Sequence, residues 1–327
     1  MGYTVSVRLS GYRNLVLSRL GQGVLVIFLA YVLSFIVVSV LPGDAITNAL
    51  HDPQSGLSEE DIARIVAFYG LDKPVLIQLL LALGRFVTGD LGISLQSGLP
   101  VTDLVFDALP STTFLALTAL ILALVLAVAI AVGVHLLPSG AAGILRSVPS
   151  FFLSVPNFVI GLVLISVFGF TLHTFTITEP NAPVATFFAA LTLAIPVSAP
   201  LAEVLISSLD VEARQDYALV ARSRGLSRVN VFAQHLLKPS ALPSVTMVAL
   251  LIGELLGGAV ITETIFGRNG VGTLVQRSVG AGDQPVLLAV VVLSAVVFVL
   301  VNLIADLSVP LLDPRTSVTK KKKAVVS

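Results

Sequence analysis

Residues 112–137 read TTFLALTALILALVLAVAIAVGVHLL. A bilayer core of ~30 Å is crossed by about 20 residues of apolar helix, and this run is long and apolar enough to do so. Five further runs pass the same test, at 21–41, 151–170, 184–209, 242–261 and 286–309. The expected fold class is therefore an all-α integral membrane protein with six transmembrane helices. Composition agrees. Hydrophobic residues make up 56% of 327, charged residues 12%, and mean hydropathy is +0.99, whereas a soluble domain carries about 25% charged residues to face water. The first run is longer than a signal-peptide core of roughly 7–15 residues and no A-x-A-like site follows it, so it is expected to be a span.

Six spans put both termini on one side. Placing that side in the cytoplasm leaves only Arg64, Lys73, Arg85, Arg268 and Arg277 outside, and 14 of the 19 Lys and Arg inside. The excess of basic residues predicts cytoplasmic termini. Net charge is zero, which gives no bulk attraction to nucleic acid. With no cysteine, disulfides and thiol chemistry are excluded. The P-loop pattern, H-E-x-x-H and G-x-S-x-G are all missing. His51, His135, His173 and His235 are scattered, so no metal site and no catalytic residue are expected.

The N-terminal stretch to Arg19 is short and basic, a lead-in to the first span, which ends at Leu41-Pro42-Gly43-Asp44. A helix is expected from Ser58-Glu59-Glu60-Asp61 to Gly70. Pro74 opens a second, through about Thr88, too short to span and expected to lie against the membrane or the bundle. Pro196 and Pro200 interrupt the fourth span. Gly253-x-x-x-Gly257, followed by Gly258, offers close helix approach within the chain or between subunits. Glu254 sits near the middle of the fifth span, where an acid costs roughly 2.5–3.5 kcal/mol and should face the bundle interior or water. It either lines a route or makes an interhelical hydrogen bond. Glu203 and Asp306 lie nearer the span ends, within reach of headgroups or loop arginines.

The loop 210–243 is the richest stretch outside the spans. Tyr217 to Arg224 reads as two helical turns stopped by Gly225, with Tyr217, Ala221 and Arg224/Gly225 on one face. A second helical stretch, Arg228 to Leu237, precedes Pro239 and Pro243. Such a short helix with an aromatic and flanking arginines suits insertion into a partner's groove.

The string Gln215-Asp216-Tyr217…Ala221-Arg222-Ser223-Arg224-Gly225-Leu226-Ser227 resembles the coupling loop of ABC-importer permeases, in particular the dipeptide/oligopeptide branch. Pro42-Gly43-Asp44, Gly70-Leu71-Asp72-Lys73-Pro74, Gly89-Asp90-Leu91-Gly92, Leu109-Pro110-Ser111-Thr112, Glu263-Thr264-Ile265-Phe266…Gly270-Val271-Gly272, Asp283-x-Pro285 and Asp313-Pro314-Arg315 fit it in order. Leu219-Val220 stand where that loop often has Glu-Ala, and Gly267-Arg268-Asn269 replace an aromatic-Pro run. The resemblance implies a type I permease fold in a bacterial inner membrane. It also implies a multi-pass subunit that binds no cofactor, with ATP and Mg on two partner ATPase subunits. A second, similar permease and an external substrate-binding protein would complete the system. Its site residues would be Asp216, Tyr217, Ala221, Arg222, Arg224, Gly225 and Leu226 at the ATPase, with Glu254, Pro196 and Asn157 along the pathway. Phe266, Gly270, Gly272 and Asp283 would form an external gate or binding-protein contact. On this reading the chain divides into a lead-in at 1–20, the first span at 21–41, and an external helical segment at 42–111. A core at 112–309 with the coupling loop at 210–243 follows, then a basic tail at 310–327. Peptides are the leading solute, with nickel complexes or glutathione-like molecules next. A secondary transporter or channel is the alternative, but one central Glu is thin provision for proton coupling. A scaffold that moves nothing is a second alternative.

Overall fold

The computed structural model describes residues 2–40, 58–70 and 72–312. Pro42-Gly43-Asp44, Leu71, Asp313-Pro314-Arg315 and the basic tail lie outside the described residues. The helices are α1 (Gly2–Val40), α2 (Glu59–Tyr69), α3 (Val75–Val87), α4 (Val101–Leu136), α5 (Ser139–Ser154) and α6 (Asn157–Leu164, continuing as a π-helical stretch Ile165–Thr171). They continue with α7 (Pro183–Glu212), α8 (Asp216–Ser223), and α9, which runs Arg228–Val231, Phe232–Leu236 and Leu237–Ser240. The last three are α10 (Leu242–Phe266), α11 (Val271–Ala281) and α12 (Gln284–Leu312). Among the described residues the sole β-type pairing is an isolated bridge between Ile93 and Pro100.

Five helices are long and apolar enough to cross a membrane: α1, α4, α7, α10 and α12. The expected span at 151–170 is bent. α5 and α6 meet at 99°, and counted as one bent span they bring the total to six. The break lies at Val155-Pro156. Proline's ring pushes the preceding residue out of the helical region, and Val155 sits at φ −103, ψ 121.

The core is a seam of small residues. Ala119, Ala123, Ala127 and Ala131 recur every fourth residue on one buried stripe of α4, in one cluster with Ala189, Ala190 and Ala194 of α7. Small side chains let two helix backbones close on each other, which in lipid replaces the hydrophobic drive. Large apolar side chains such as Leu25, Leu29, Leu117, Ile121 and Leu300 stay exposed along the spans, as expected where lipid is the solvent. α1 lies along α12, with Gly23 against Val299, and Arg19 pairs with Asp306 at 3.0 Å.

The segment before α4 folds back on the spans. Tyr31 of α1 stacks on Phe86 of α3, centroids 4.9 Å apart. Arg85 lies over the rings of Phe68 and Tyr69 at 4.8 and 4.7 Å, and the Tyr69 hydroxyl donates to the Ile93 carbonyl at 2.7 Å. Burial pushes the Tyr69 phenol up to about 12, which keeps that donor protonated.

Candidate functional site

Among the described residues, polar groups gather at the end of the bundle holding α8 and α9 (the loop end), in a groove at mid-span, and at the opposite, far end.

At the loop end, α8 stops where the glycine predicts. Gly225 has φ +82, in the left-handed region that favours glycine. The seating of α8 corrects the expected face. Ala218 and Ala221 are 0% and 4% exposed and join the core with Val231, Phe232 and Leu236 of α9. Ala221 thus faces its own bundle. The outward side carries Tyr217, Leu219 and Val220, the last two 51% and 49% exposed, with Asp216, Arg222, Arg224 and Gly225 also exposed and Leu226 half-buried. The Tyr217 hydroxyl donates to Glu212. Burial, then that carboxylate, push the phenol up to about 12. Beneath α8, Asp210 of α7 accepts from both Arg146 Nη atoms at 2.7 and 2.8 Å and faces His135 Nε2 at 3.1 Å. This three-helix clasp was not singled out from the sequence. Its members lie 75 and 64 residues apart, and each reads as a lone charge beyond an apolar run.

At mid-span, Glu254, Pro196 and Asn157 come together. All three line one open groove of about 490 Å³, with Leu193, Val197 and Gly257 among its other walls. The three glycines of α10 do not form one packing face: Gly253 approaches Phe298 of α12, Gly258 approaches Leu193 of α7, and Gly257 meets nothing within 4 Å.

The far end is a closed polar network. Glu263, 0% exposed, accepts from Thr112 Oγ1 at 2.6 Å, Gly272 N at 2.8 Å and Thr273 N at 3.2 Å. Thr112 Oγ1 in turn accepts from Val271 N at 2.7 Å. One carboxylate and one hydroxyl thereby satisfy the first N–H groups of α11, which no helical carbonyl reaches. The positive helix end favours the negative charge. A Cβ at Gly270 would lie on the Glu263 carboxylate, and one at Gly272 would sit 2.6 Å from Val260 Cα. Both glycines are therefore required by close approach.

Arg268, 2% exposed, donates through Nη1 to the Pro180 carbonyl at 2.6 Å and Thr186 Oγ1 at 2.7 Å. Its Nη2 donates to Ser111 Oγ at 3.2 Å. Burial pulls its pKa below the ordinary value, and the nearby Glu263 charge opposes this. Asp283 accepts from Ser94 Oγ at 2.5 Å and Leu95 N at 3.1 Å, fastening the segment before α4 to the α11–α12 turn. Phe266 closes an aromatic stack with Phe175, Phe188 and Phe168. Phe266, Gly270, Gly272 and Asp283 are all buried, so the outward face here belongs to Gly267 and Asn269. Sequence reading gave the glycines a site role, but named Glu263 and Thr112 only as motif residues and Arg268 only as a departure, and did not name Thr273. An acid next to two closely spaced glycines was the available signal.

Comparison with known proteins fits this architecture. Residues 137–318 match a family described as "Binding-protein-dependent transport system inner membrane component". An oligopeptide transport system permease protein of Bacillus subtilis is 34% identical, covering 87% of this chain and 93% of its own length. A dipeptide transport system permease protein of Lactococcus lactis is 31% identical over 92% and 98%. A glutathione transport system permease protein of Escherichia coli is 30% identical over 92% and 98%. The chain therefore belongs to the binding-protein-dependent inner-membrane components, the membrane-spanning permeases of ABC importers, which work with ATPase and substrate-binding partners.

Proposed function

We propose that this chain forms half of the translocation pathway of an importer for peptides, driven by two ATPase subunits docked on the 210–243 loop. The observation that carries the reading is α8. Its alanines are seated in the bundle and its apolar outer residues Tyr217, Leu219 and Val220 are left uncovered. Exposed leucine and valine on a short helix beyond the spans fit insertion into a partner's groove. The two positions that depart from Glu-Ala are then the ones that face the ATPase. Peptide as the solute rests on the names of the relatives, since glutathione is itself a tripeptide.

In this reading the loop end is cytoplasmic, as the basic residues predict, and the chain holds no catalytic group and no cofactor. ATP and Mg belong to the ATPases. A second, non-identical permease covers the side of α10 marked by Leu250, Glu254, Gly257 and Ile261, all exposed in this chain. A carboxylate left against lipid at that depth would cost roughly 2.5–3.5 kcal/mol, and a shared, hydrated pathway removes that cost. The buried far-end network would hold the external gate, with Gly267 and Asn269 available to the binding protein.

The test is co-purification of the assembled transporter. Leu219→Asp with Val220→Asp should release the ATPases while the permease stays folded in the membrane. Retention of the ATPases at wild-type stoichiometry would refute the docking face. Peptide uptake that persists after ATP depletion, with the proton gradient held, would refute the energy source.

A further inference from the structure

We infer that the pocket at the foot of the coupling loop binds the phosphodiester headgroup of an inner-leaflet phospholipid. The pocket, about 180 Å³, lies between the end of α4, the end of α7 and the start of α9, and Arg222, Arg228 and His135 line it. At ~30 Å³ per water it has room for a phosphoryl group and its nearest atoms.

Its charge is unbalanced. Asp210, the acid beside it, is matched by the two-pronged contact from Arg146. His135 bonds the Ala131 carbonyl through Nδ1 at 2.9 Å and faces Asp210 through Nε2. Among the described residues, neither Arg222 nor Arg228 has a carboxylate within ion-pair distance. Arginines near a helix C-terminus often serve only to meet its last carbonyls. Arg222 does this weakly, with one contact to the Ala213 carbonyl at 3.5 Å, and Arg228 makes no side-chain hydrogen bond among the described residues. Most of their ten N–H donors are left for a ligand, in the forked geometry that phosphate accepts.

The remaining walls identify the ligand further. Leu136, Phe232 and Leu236 make part of the lining apolar. A free phosphate compound would use only the cationic part, whereas a phospholipid offers a phosphate with hydrocarbon attached. Depth agrees, because the apolar run of α4 ends at Leu136 and α7 ends at Glu212, where a bilayer passes from hydrocarbon to headgroups. The leaflet assignment rests on the orientation proposed above, but the chemistry does not.

The test uses the full-length chain in neutral detergent, titrated with phosphatidylglycerol or phosphatidylcholine and read by native mass spectrometry. Phosphatidylglycerol should bind more tightly, and Arg222→Gln with Arg228→Gln should weaken it by about 30-fold, at ~5-fold per basic residue near a headgroup. Phosphatidylcholine carries the same phosphodiester, but its choline cation competes with the arginines, so it should bind more weakly and change less. Arg228→Gln alone removes a side chain with no partner among the described residues, so the fold is retained, and about 5-fold weakening is expected. Equal phosphatidylglycerol affinity in wild type and both variants would overturn the proposal. Displacement of the lipid by millimolar inorganic phosphate would overturn the lipid assignment in favour of a soluble phosphate. Loss of lipid binding in Arg228→Gln, a residue outside the ATPase-contact set, with intact ATPase docking leaves the proposed function standing, so the two readings fail separately.

Discussion

The far-end network makes the sharpest demand on the chain, through Glu263. Its carboxylate receives three donors, Thr112 Oγ1 and the Gly272 and Thr273 amides, at 2.6–3.2 Å with no solvent access. Glu263→Ala orphans all three. A hydrogen bond to a charged group is worth about 1.5–3 kcal/mol, and a buried donor left unmet costs about 1–3 kcal/mol. Water entering the vacated space recovers part of that, so a loss of roughly 3–5 kcal/mol is expected, at the upper end for one substitution. Glu263→Gln keeps the shape and one oxygen for the two amides. Its NH2 group meets Thr112 Oγ1, which already accepts from Val271 N and then has nowhere to place its own hydrogen. One buried donor is left unmet and the charge at the helix end is lost, about 1–2 kcal/mol.

Thermal unfolding of the purified permease in detergent should therefore rank wild type, Glu263→Gln, Glu263→Ala in falling order. Thr112→Val should lower stability too, and combining it with Glu263→Ala should cost less than the two separately, because they remove the same bond. Wild-type melting of Glu263→Ala, or strict additivity with Thr112→Val, would refute the network.

Four further outcomes follow from the same contacts. Gly272→Ala sets a methyl 2.6 Å from Val260 Cα and 2.8 Å from its nitrogen. Backbone cannot rotate away, so a loss of about 2–3 kcal/mol is expected in the same melting assay. Ala221→Glu buries a charge under α8 and should make the loop sensitive to limited proteolysis, whereas Leu219→Asp should leave the digestion pattern unchanged. Gly225→Val meets no neighbour but forces a β-branched residue to φ +82, costing roughly 1–2 kcal/mol. ATPase co-purification should fall while the melting of the spans is retained. Glu254→Gln should alter the rate or solute range of uptake in reconstituted vesicles without moving the melting temperature, since the side chain faces the groove. A drop in stability with unchanged uptake would instead make Glu254 a structural group.

How much of this was legible in the sequence depended on range. Apolar runs located every span, and Gly225 and Pro74 marked a helix stop and a helix start because their effects are local. The bend at Pro156 was visible in the Val155-Pro156 pair but hidden by an apolar run that continues across it. Ala119, Ala123, Ala127 and Ala131 read as generic apolar residues, and only their burial against α7 shows them to be the packing seam. Helical spacing puts Ala221 on one side of α8 with Tyr217, but spacing says which residues share a side, not which side meets the bundle. The role of Glu263 was out of reach for another reason. It lies just past the expected end of its span, and its partner Thr112 is 151 residues away.

The two ends of the bundle are held differently, and α7 joins them. It carries Thr186, bonded to Arg268, near one end and Asp210, clasped by Arg146, near the other. Its 30 residues make a strut of about 45 Å at 1.5 Å per residue. At the far end the polar contacts are buried, so breaking any of them leaves an unmet group at a cost of about 1–3 kcal/mol. At the loop end Asp210 and Arg146 are partly exposed, and water can replace a broken contact there. When α8 moves, the loop end of α7 is free to move with it while the far end stays fixed, so the displacement must be taken up along α7 itself. Pro196 and Pro200 each remove one i→i−4 hydrogen bond from that helix, which makes this the soft section of the strut. Pro196 also lines the groove opposite Glu254. In the proposed importer, motion of the coupling loop is therefore delivered as a change in the wall of the groove, while the far-end network stays intact.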